Sequence, residues 1–197
     1  MLQRGCRLLR KFSTTGVVRA RIRWTMNAAF GKYLLATNTV SSGVLMLLGD
    51  LTEQELHHDI EQDDSPRYDF ARLARMFTVG LAMGPVHHYY YGYVNKLWPR
   101  RNLNNVLKKV LADQLVMGPI CILQFFYTIG GLEMRPLKDI NEEVKAKFFT
   151  VYAMDWCIWP PTQFINFFYV PPRYQVMYVN FVTMLYDVFL SFVKHDF

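Results

Sequence analysis

Hydrophobic positions in this chain gather into long runs that no charged side chain interrupts. Residues 33–49, 76–95, 114–132 and 156–172 each span 17 to 20 positions without Asp, Glu, Lys or Arg. A further run, 174–193, is broken only by Asp187. A hydrocarbon layer about 30 Å thick takes roughly 20 residues of α-helix to cross, and soluble helical domains seldom repeat that length four or five times. The pattern predicts an all-α fold: a polytopic membrane helical bundle of four, or five, spans. Proline shapes the expected helices. Pro160 and Pro161 lack the amide donor of a continuous helix, so residues 141–170 read as an amphipathic helix ending near Ile158, a break, and a short helix to about Tyr169. Pro171-Pro172 then starts the last helix, and Pro85 and Pro119 predict kinks in the second and third spans.

Each apolar run carries a polar stripe at helical spacing. Gly80, Gly84, His87, His88, Tyr91 and Asn95 share one face of the second span. Asp113, Gln114, Met117, Cys121, Gln124, Thr128 and Gly131 share one in the third. Asn38, Ser42 and Gly49 align in the first, and Asn180, Asp187 and Ser191 in the last. Lipid cannot satisfy such groups, so these faces turn toward each other or toward water. Two readings of the resulting polar interior stay open. One is a path for small solutes lined by His87, Asp113, Gln114, Asp155, Gln163, Asn166 and Asp187. The other is interhelical hydrogen bonding, with Gly80 and Gly84 allowing close helix approach, at about 0.6 kcal/mol per bond.

Composition limits the class. The chain has 197 residues, of which 52% are hydrophobic, 16% aromatic and only 19% charged. Disordered, collagen-like and disulfide-framework proteins are excluded, the last because there are only three cysteines. Mean hydropathy is just +0.05, so the membrane reading rests on the local runs.

Net charge is +6, and its placement matters more than its size. Residues 1–32 hold eight basic side chains and no acid, while residues 33–197 hold fourteen basic and sixteen acidic ones. In residues 2–12, Leu2, Cys6, Leu8, Leu9 and Phe12 fall opposite Arg4, Arg7, Arg10 and Lys11 on a helix, and Ser13, Thr14 and Thr15 follow. An Arg-rich, acid-free, hydroxyl-bearing amphipathic start describes a mitochondrial transit segment. Arg10-Lys11-Phe12-Ser13 resembles a cleavage site after Phe12. Residues 1–27 are thus expected to be a transit segment and basic arm, and residues 28–197 a single membrane-embedded domain.

The loops add a direction. Residues 50–69 read as an acidic polar loop, and residues 96–109 as a basic one carrying Lys96, Arg100, Arg101, Lys108 and Lys109. Alternating sides puts that loop with the basic N-terminus, on the matrix or cytosolic side.

Little points to catalysis. No phosphate-binding glycine loop, nucleophile elbow or His-Glu-x-x-His pair occurs. His57-His58-Asp59 with Glu61, Asp63 and Asp64 offers metal-ligating types, although a solvated acidic loop is the commoner meaning of such a run. Tyr89-Tyr90-Tyr91 and Trp98 beside Lys96 and Arg100 fit a membrane interface better than base stacking. No enzyme activity, cofactor or metal is expected.

Several blocks then resemble one family. Gly49-Asp50 with Gln54, Arg72 and Arg75, Gly84-Pro85-Val86-His87-His88-Tyr89-Tyr90-Tyr91, and Lys109 through Asp113-Gln114 to Pro119 occur in that order. Trp159-Pro160-Pro161-Thr162-Gln163-Phe164-Ile165-Asn166-Phe167-Phe168-Tyr169-Val170-Pro171 follows and is the most specific. Together they resemble the 22-kDa peroxisomal membrane protein family of the Mpv-17 type. Val106-Leu107-Lys108-Lys109, Asp155-Trp156-Cys157-Ile158-Trp159-Pro160 and Pro171-Pro172 look most like its second, mitochondrial Mpv-17-like branch. The resemblance implies a multi-pass protein of the mitochondrial inner membrane, with the peroxisomal membrane as the alternative. It implies support of mitochondrial ribosome assembly and translation, or channel-like permeability to small solutes or ions. The partners it implies are membrane lipid, ribosomal subunits through rRNA or protein, and further copies of the chain.

Overall fold

The computed structural model describes the backbone of residues 14–61 and 67–196, with side chains described for residues 19–56, 58 and 67–186. The expected transit segment at residues 1–12, most of the His57–Asp64 acidic run and the side chain of Asp187 therefore lie outside the described residues. The rest is helical, without a strand among the described residues. Helix α1 (Thr14–Asn27) is an exposed arm that passes through a π-helical turn, Ala28–Lys32, into α2 (Leu34–Glu61). Then come α3 (Phe70–Leu97), α4 (Leu103–Ala112), a second π-helical turn (Asp113–Met117), α5 (Gly118–Leu132), α6 (Leu137–Tyr169) and α7 (Gln175–Asp196).

Local chemistry sets the helix starts. Asp69 Oδ1 accepts the Arg72 amide at 2.9 Å to open α3, and Asn102 Oδ1 accepts the Asn105 amide at 2.9 Å to open α4. Each caps one of the orphan donors of a first turn.

Glycine sets the spacing of α2 and α3. A Cβ on Gly80 would lie 2.5 Å from the Ser42 carbonyl oxygen, and one on Gly84 would lie 2.5 Å from Thr39 Cα. Only glycine lets the two backbones pass this closely. Helix α7 packs on the same α2, where Asn180 Nδ2 donates to Ser42 Oγ at 2.6 Å. Helix α6 crosses α4 and α5, burying Ile140 and Val144 against Ile122 and Phe126. At the other end Tyr91, Val106, Val110, Phe167, Val176 and Val179 form a second apolar cluster.

Among the described residues, two segments are long and apolar enough to cross a membrane, Leu34–Leu56 and Leu103–Leu132. The second exceeds the expected span because α4, the π turn and α5 join end to end.

Three sequence expectations are corrected. Helix α6 runs unbroken through Pro160 and Pro161. Two prolines free only the carbonyls one turn earlier, and packing against neighbouring helices holds the backbone helical across the gap. The Thr162 hydroxyl also bonds back to the Ile158 carbonyl at 2.9 Å there. The acidic loop is half helix, since α2 continues to Glu61; Gly49 and Asp50 sit within that helix rather than at its end. The basic segment is a helix end, a short link and the start of α4, and Lys109 is only 2% exposed.

The π turn explains a smaller shift. Its extra residue rotates the following helix, so the buried line runs Met117, Ile122, Phe126 and Gly130, with Gly131 exposed.

Candidate functional site: a polar chamber inside the bundle

A cavity of about 250 Å³ lies at the centre, walled by α2, α3, α5, α6, α7 and the second π turn. His87 and Tyr91 come from α3, Asp113 and Gln114 from the π turn, and Cys121 from α5. Asp155, Trp159 and Gln163 come from α6. Met46, Met83, Met117, Phe125 and Phe126 supply most of the apolar wall.

The π turn positions two buried polar groups of the chamber wall. It brings Asp113 and Gln114 inward side by side, 4% and 1% exposed. Tyr152 Oη donates to the Gln114 carbonyl at 3.0 Å, which fixes the turn against α6. Yet Asp113 Oδ1 and Gln114 Nε2 are buried and make no hydrogen bond among the described residues. A buried polar atom left unpaired costs roughly 1–3 kcal/mol, so a cavity beside such atoms is suited to water or a solute that satisfies them.

His87 is held in one tautomer. Its Nδ1 lies 3.0 Å from the Met83 carbonyl, which only accepts, so Nδ1 carries the proton. Nε2 is then the acceptor and faces Cys121 Sγ at 3.7 Å. Asp155 Oδ1 accepts from Trp159 Nε1 at 3.1 Å.

A hydrogen-bonded chain bounds the chamber at Tyr91 and Gln163. Gln163 Nε2 donates to Tyr91 Oη at 2.7 Å, and Asn166 Nδ2 to Gln163 Oε1 at 2.9 Å. Gln175 Nε2 reaches the Asn166 carbonyl at 3.4 Å, and Asn95 Nδ2 donates to Gln175 Oε1 at 2.6 Å. Lys109 Nζ completes the chain, donating to Asn95 Oδ1 at 2.6 Å with Phe167 beneath it at 5.6 Å. Lys109 therefore belongs to this seal and not to a solvated basic loop. Its stem follows the apolar side of α4, whose next turn buries Val106 and Val110. Lys96, Arg100, Arg101 and Lys108 are exposed.

The opposite end is charged. Asp50, 1% exposed, accepts from Gln54 Nε2 at 2.8 Å and forms an ion pair with Arg72 Nε at 2.7 Å. Arg72 Nη2 also donates to Glu53 at 2.6 Å. Burial works against the Arg72 charge, but the Asp50 and Glu53 carboxylates outweigh it and raise its pKa. Gln54 Oε1 accepts the Asp69 amide at 2.7 Å, which joins α2 to the start of α3. Arg67 and Tyr68 both bond Glu55, and Arg135 bridges Glu143 at 2.6 Å. Glu143 also accepts from Lys147 at 2.6 Å; Lys147 first and Arg135 second hold its carboxyl below the ordinary range.

The two readings of the polar stripes thus divide by residue. Asn38, Ser42, His88 and Asn180 hold helices together, Asn38 Nδ2 meeting His88 Nδ1 at 3.0 Å. His87, Asp113, Gln114, Asp155 and Gln163 face the chamber, whereas Asn166 lies behind it in the seal. Gly80 and Gly84 sit in the α2–α3 seam. Sequence reasoning missed Met46, Phe125 and Trp159 as wall residues, because apolar side chains carry no signal that separates a cavity wall from a core. Among the described residues no group of three or more His, Cys, Asp or Glu side chains is arranged to hold a metal ion.

An all-helical bundle around a partly open, mostly apolar chamber that carries a few polar groups defines a class of helical bundle proteins with a central cavity. The chain belongs to the Mpv17/PMP22 family, whose pattern matches residues 130–191. PXMP2/4 family protein 4 of Dictyostelium discoideum is 34% identical over 161 residues, covering 81% of this chain and 86% of that protein. Protein SYM1 of Gibberella zeae is 28% identical over 176 residues, covering 88% and 97%. Peroxisomal membrane protein 2 of Bos taurus is 26% identical over 161 residues, covering 81% and 82%. No solved structure matches the chain significantly.

Proposed function

We propose that this protein crosses the mitochondrial inner membrane four or five times and that its chamber receives and passes a small polar solute, without catalysing a reaction. The observation that carries the reading is the chamber itself: about 250 Å³ beside the unpartnered Asp113 Oδ1 and Gln114 Nε2. Among the described residues its wall includes two carboxyl groups, Asp113 and Asp155, and no Lys or Arg, which favours cations and hydrogen-bond donors over anions. The basic N-terminus supports the mitochondrial address; the peroxisomal membrane, in the name of the bovine relative, is the alternative. Reconstitution into liposomes tests the function. Flux of small solutes, or single-channel current, is expected and should change on Asp113→Asn and on His87→Ala. No flux and no current at any voltage would overturn it.

A second reading rests on a different surface. Lys96, Arg100, Arg101 and Lys108 are exposed at the end where α1 presents Arg19, Arg21 and Arg23. Such a cationic face suits phosphate groups of rRNA or anionic lipid, in keeping with a role in mitochondrial ribosome assembly and translation. Sedimentation of mitochondrial lysates tests it: Arg100→Glu with Arg101→Glu should shift ribosomal subunit profiles, and unchanged profiles and translation products would refute it.

A further inference from the structure

The central chamber has a neighbour. A second cavity, of about 330 Å³, lies where the later part of α2, the start of α3 and the end of α5 meet. Its rim is Asp50, Glu53, Arg72, Arg75 and Glu133. Four of these side chains remain 28–39% exposed, so this vestibule communicates with solvent. Asp50 and Glu53 are engaged by Arg72, whereas Arg75 only approaches Glu133 and Asp69, at 3.7 and 3.8 Å. The rim is therefore hydrated and charged, and it lies at the end of the bundle opposite the Tyr91–Gln163–Asn166 seal.

Two side chains line both the vestibule and the chamber: Met46 of α2 and Phe125 of α5. Met46 also lines a third, small void of about 30 Å³ beside His87 and Asn180. Met46 thus lines all three of the voids described. Both residues are half-buried and apolar, and they stand between two volumes that carry polar groups. An apolar constriction of this kind obstructs water and ions by dewetting rather than by a covalent or charged barrier. Methionine is unbranched, with three rotatable side-chain torsions, so it can clear such a passage without moving the backbone.

We propose that Met46 and Phe125 form the constriction that sets access to the chamber, and that the chamber fills from the Arg72–Glu133 vestibule and not through the Lys109 seal. The proposal rests on the reading of the chamber as a solute site and adds the residues that limit entry and the side from which entry occurs. On the expected topology, with residues 96–101 on the matrix side, the vestibule faces the intermembrane space.

Cys121 lines the chamber and serves as the reporter. The full chain, with Cys6→Ser and Cys157→Ser, is placed in liposomes in a defined orientation. It is treated with the impermeant methanethiosulfonate ethyltrimethylammonium from one side at a time. Labelling of Cys121 is expected from the vestibule side only. Met46→Ala with Phe125→Ala should raise its rate about tenfold, equivalent to ~1.4 kcal/mol off the barrier. Met83→Ala enlarges the chamber without lining the vestibule, and should leave the rate nearly unchanged. Should the double variant fail to fold, Met46→Ala and Met46→Phe decide the matter, the first expected to speed labelling and the second to slow it. Equal rates in all variants, an equal rise with Met83→Ala, or labelling chiefly from the Lys109 end would overturn the proposal. Solute flux in the same vesicles separates the two readings. Gated labelling without flux refutes transport and leaves the constriction standing, and flux with labelling indifferent to Met46 and Phe125 does the reverse.

Discussion

Replacing Gly80 with alanine adds one methyl group at the tightest point of the bundle. That carbon would lie 2.5 Å from the Ser42 carbonyl oxygen, 2.7 Å from Gly43 Cα and 2.8 Å from the Ser42 carbonyl carbon. Favourable carbon contacts lie near 3.5–4.0 Å, so α2 and α3 must part by about 1 Å. All three obstructing atoms are backbone, and no side chain can rotate away. Overpacking of this kind costs about 1–3 kcal/mol, and alanine's better helix propensity returns about 1 kcal/mol, leaving a net loss of about 0–2 kcal/mol. Gly92 on the same helix is the control. A Cβ there meets nothing within 4 Å, so Gly92→Ala should stabilise by about 0.5–1 kcal/mol. Gly43→Ala is the intermediate case, because its obstructions are side-chain atoms of Phe77 and Leu81. For a domain of this size, about 2–4 °C in Tm per kcal/mol places Gly80→Ala roughly 1–12 °C below Gly92→Ala. Thermal unfolding of purified protein in one detergent, followed by intrinsic fluorescence, reads that order. Gly80→Ala melting at or above Gly92→Ala would refute the close-packed α2–α3 seam.

Arg72→Leu leaves the buried Asp50 carboxylate without its cation and should destabilise by about 2–4 kcal/mol, with Asp50→Asn in the same chain recovering part of the loss in thermal melts. Lys109→Ala removes the Asn95 bond and the Phe167 contact and should cost about 2 kcal/mol, whereas exposed Lys108→Ala should stay within about 0.5 kcal/mol. Binding to anionic vesicles should show the opposite order, weakened by Lys108→Ala and little changed by Lys109→Ala. Glu143, held below its ordinary pKa of 4.5 by Lys147 and Arg135, contributes stability that is present above that value. The contribution is lost as pH falls through the lower folded value. Glu143→Gln should therefore remove a small acid-side component from the stability profile of the protein, measured between pH 6 and 3.

The presence of helices over the uncharged runs was legible from periodicity, because that is a property of a segment taken alone; their lengths were not, since α2 runs on to Glu61 and α6 stays unbroken to Tyr169. Also legible was the inward side of α3, where Gly80, Gly84, His87 and Tyr91 are all buried. Residues of the family blocks come together in space: Asp50, Gln54, Arg72 and Arg75 lie at one end, and Gln163 and Asn166 at the other. What each position does was decided between helices. A helical wheel gives Asn38 and His87 the same standing, yet one meets His88 across a seam and the other a void. Lys109 reads as one more cation of a basic segment until Asn95 and Phe167, 14 and 58 positions away, are placed around it. Pro160 and Pro161 read as a break because local propensity charges them in full, while packing around α6 keeps the helix continuous. The sequence alone determined that polar groups face inward. Only the tertiary structure decided which of them find partners and which face an open chamber, since that depends on distances between helices that no single helix encodes.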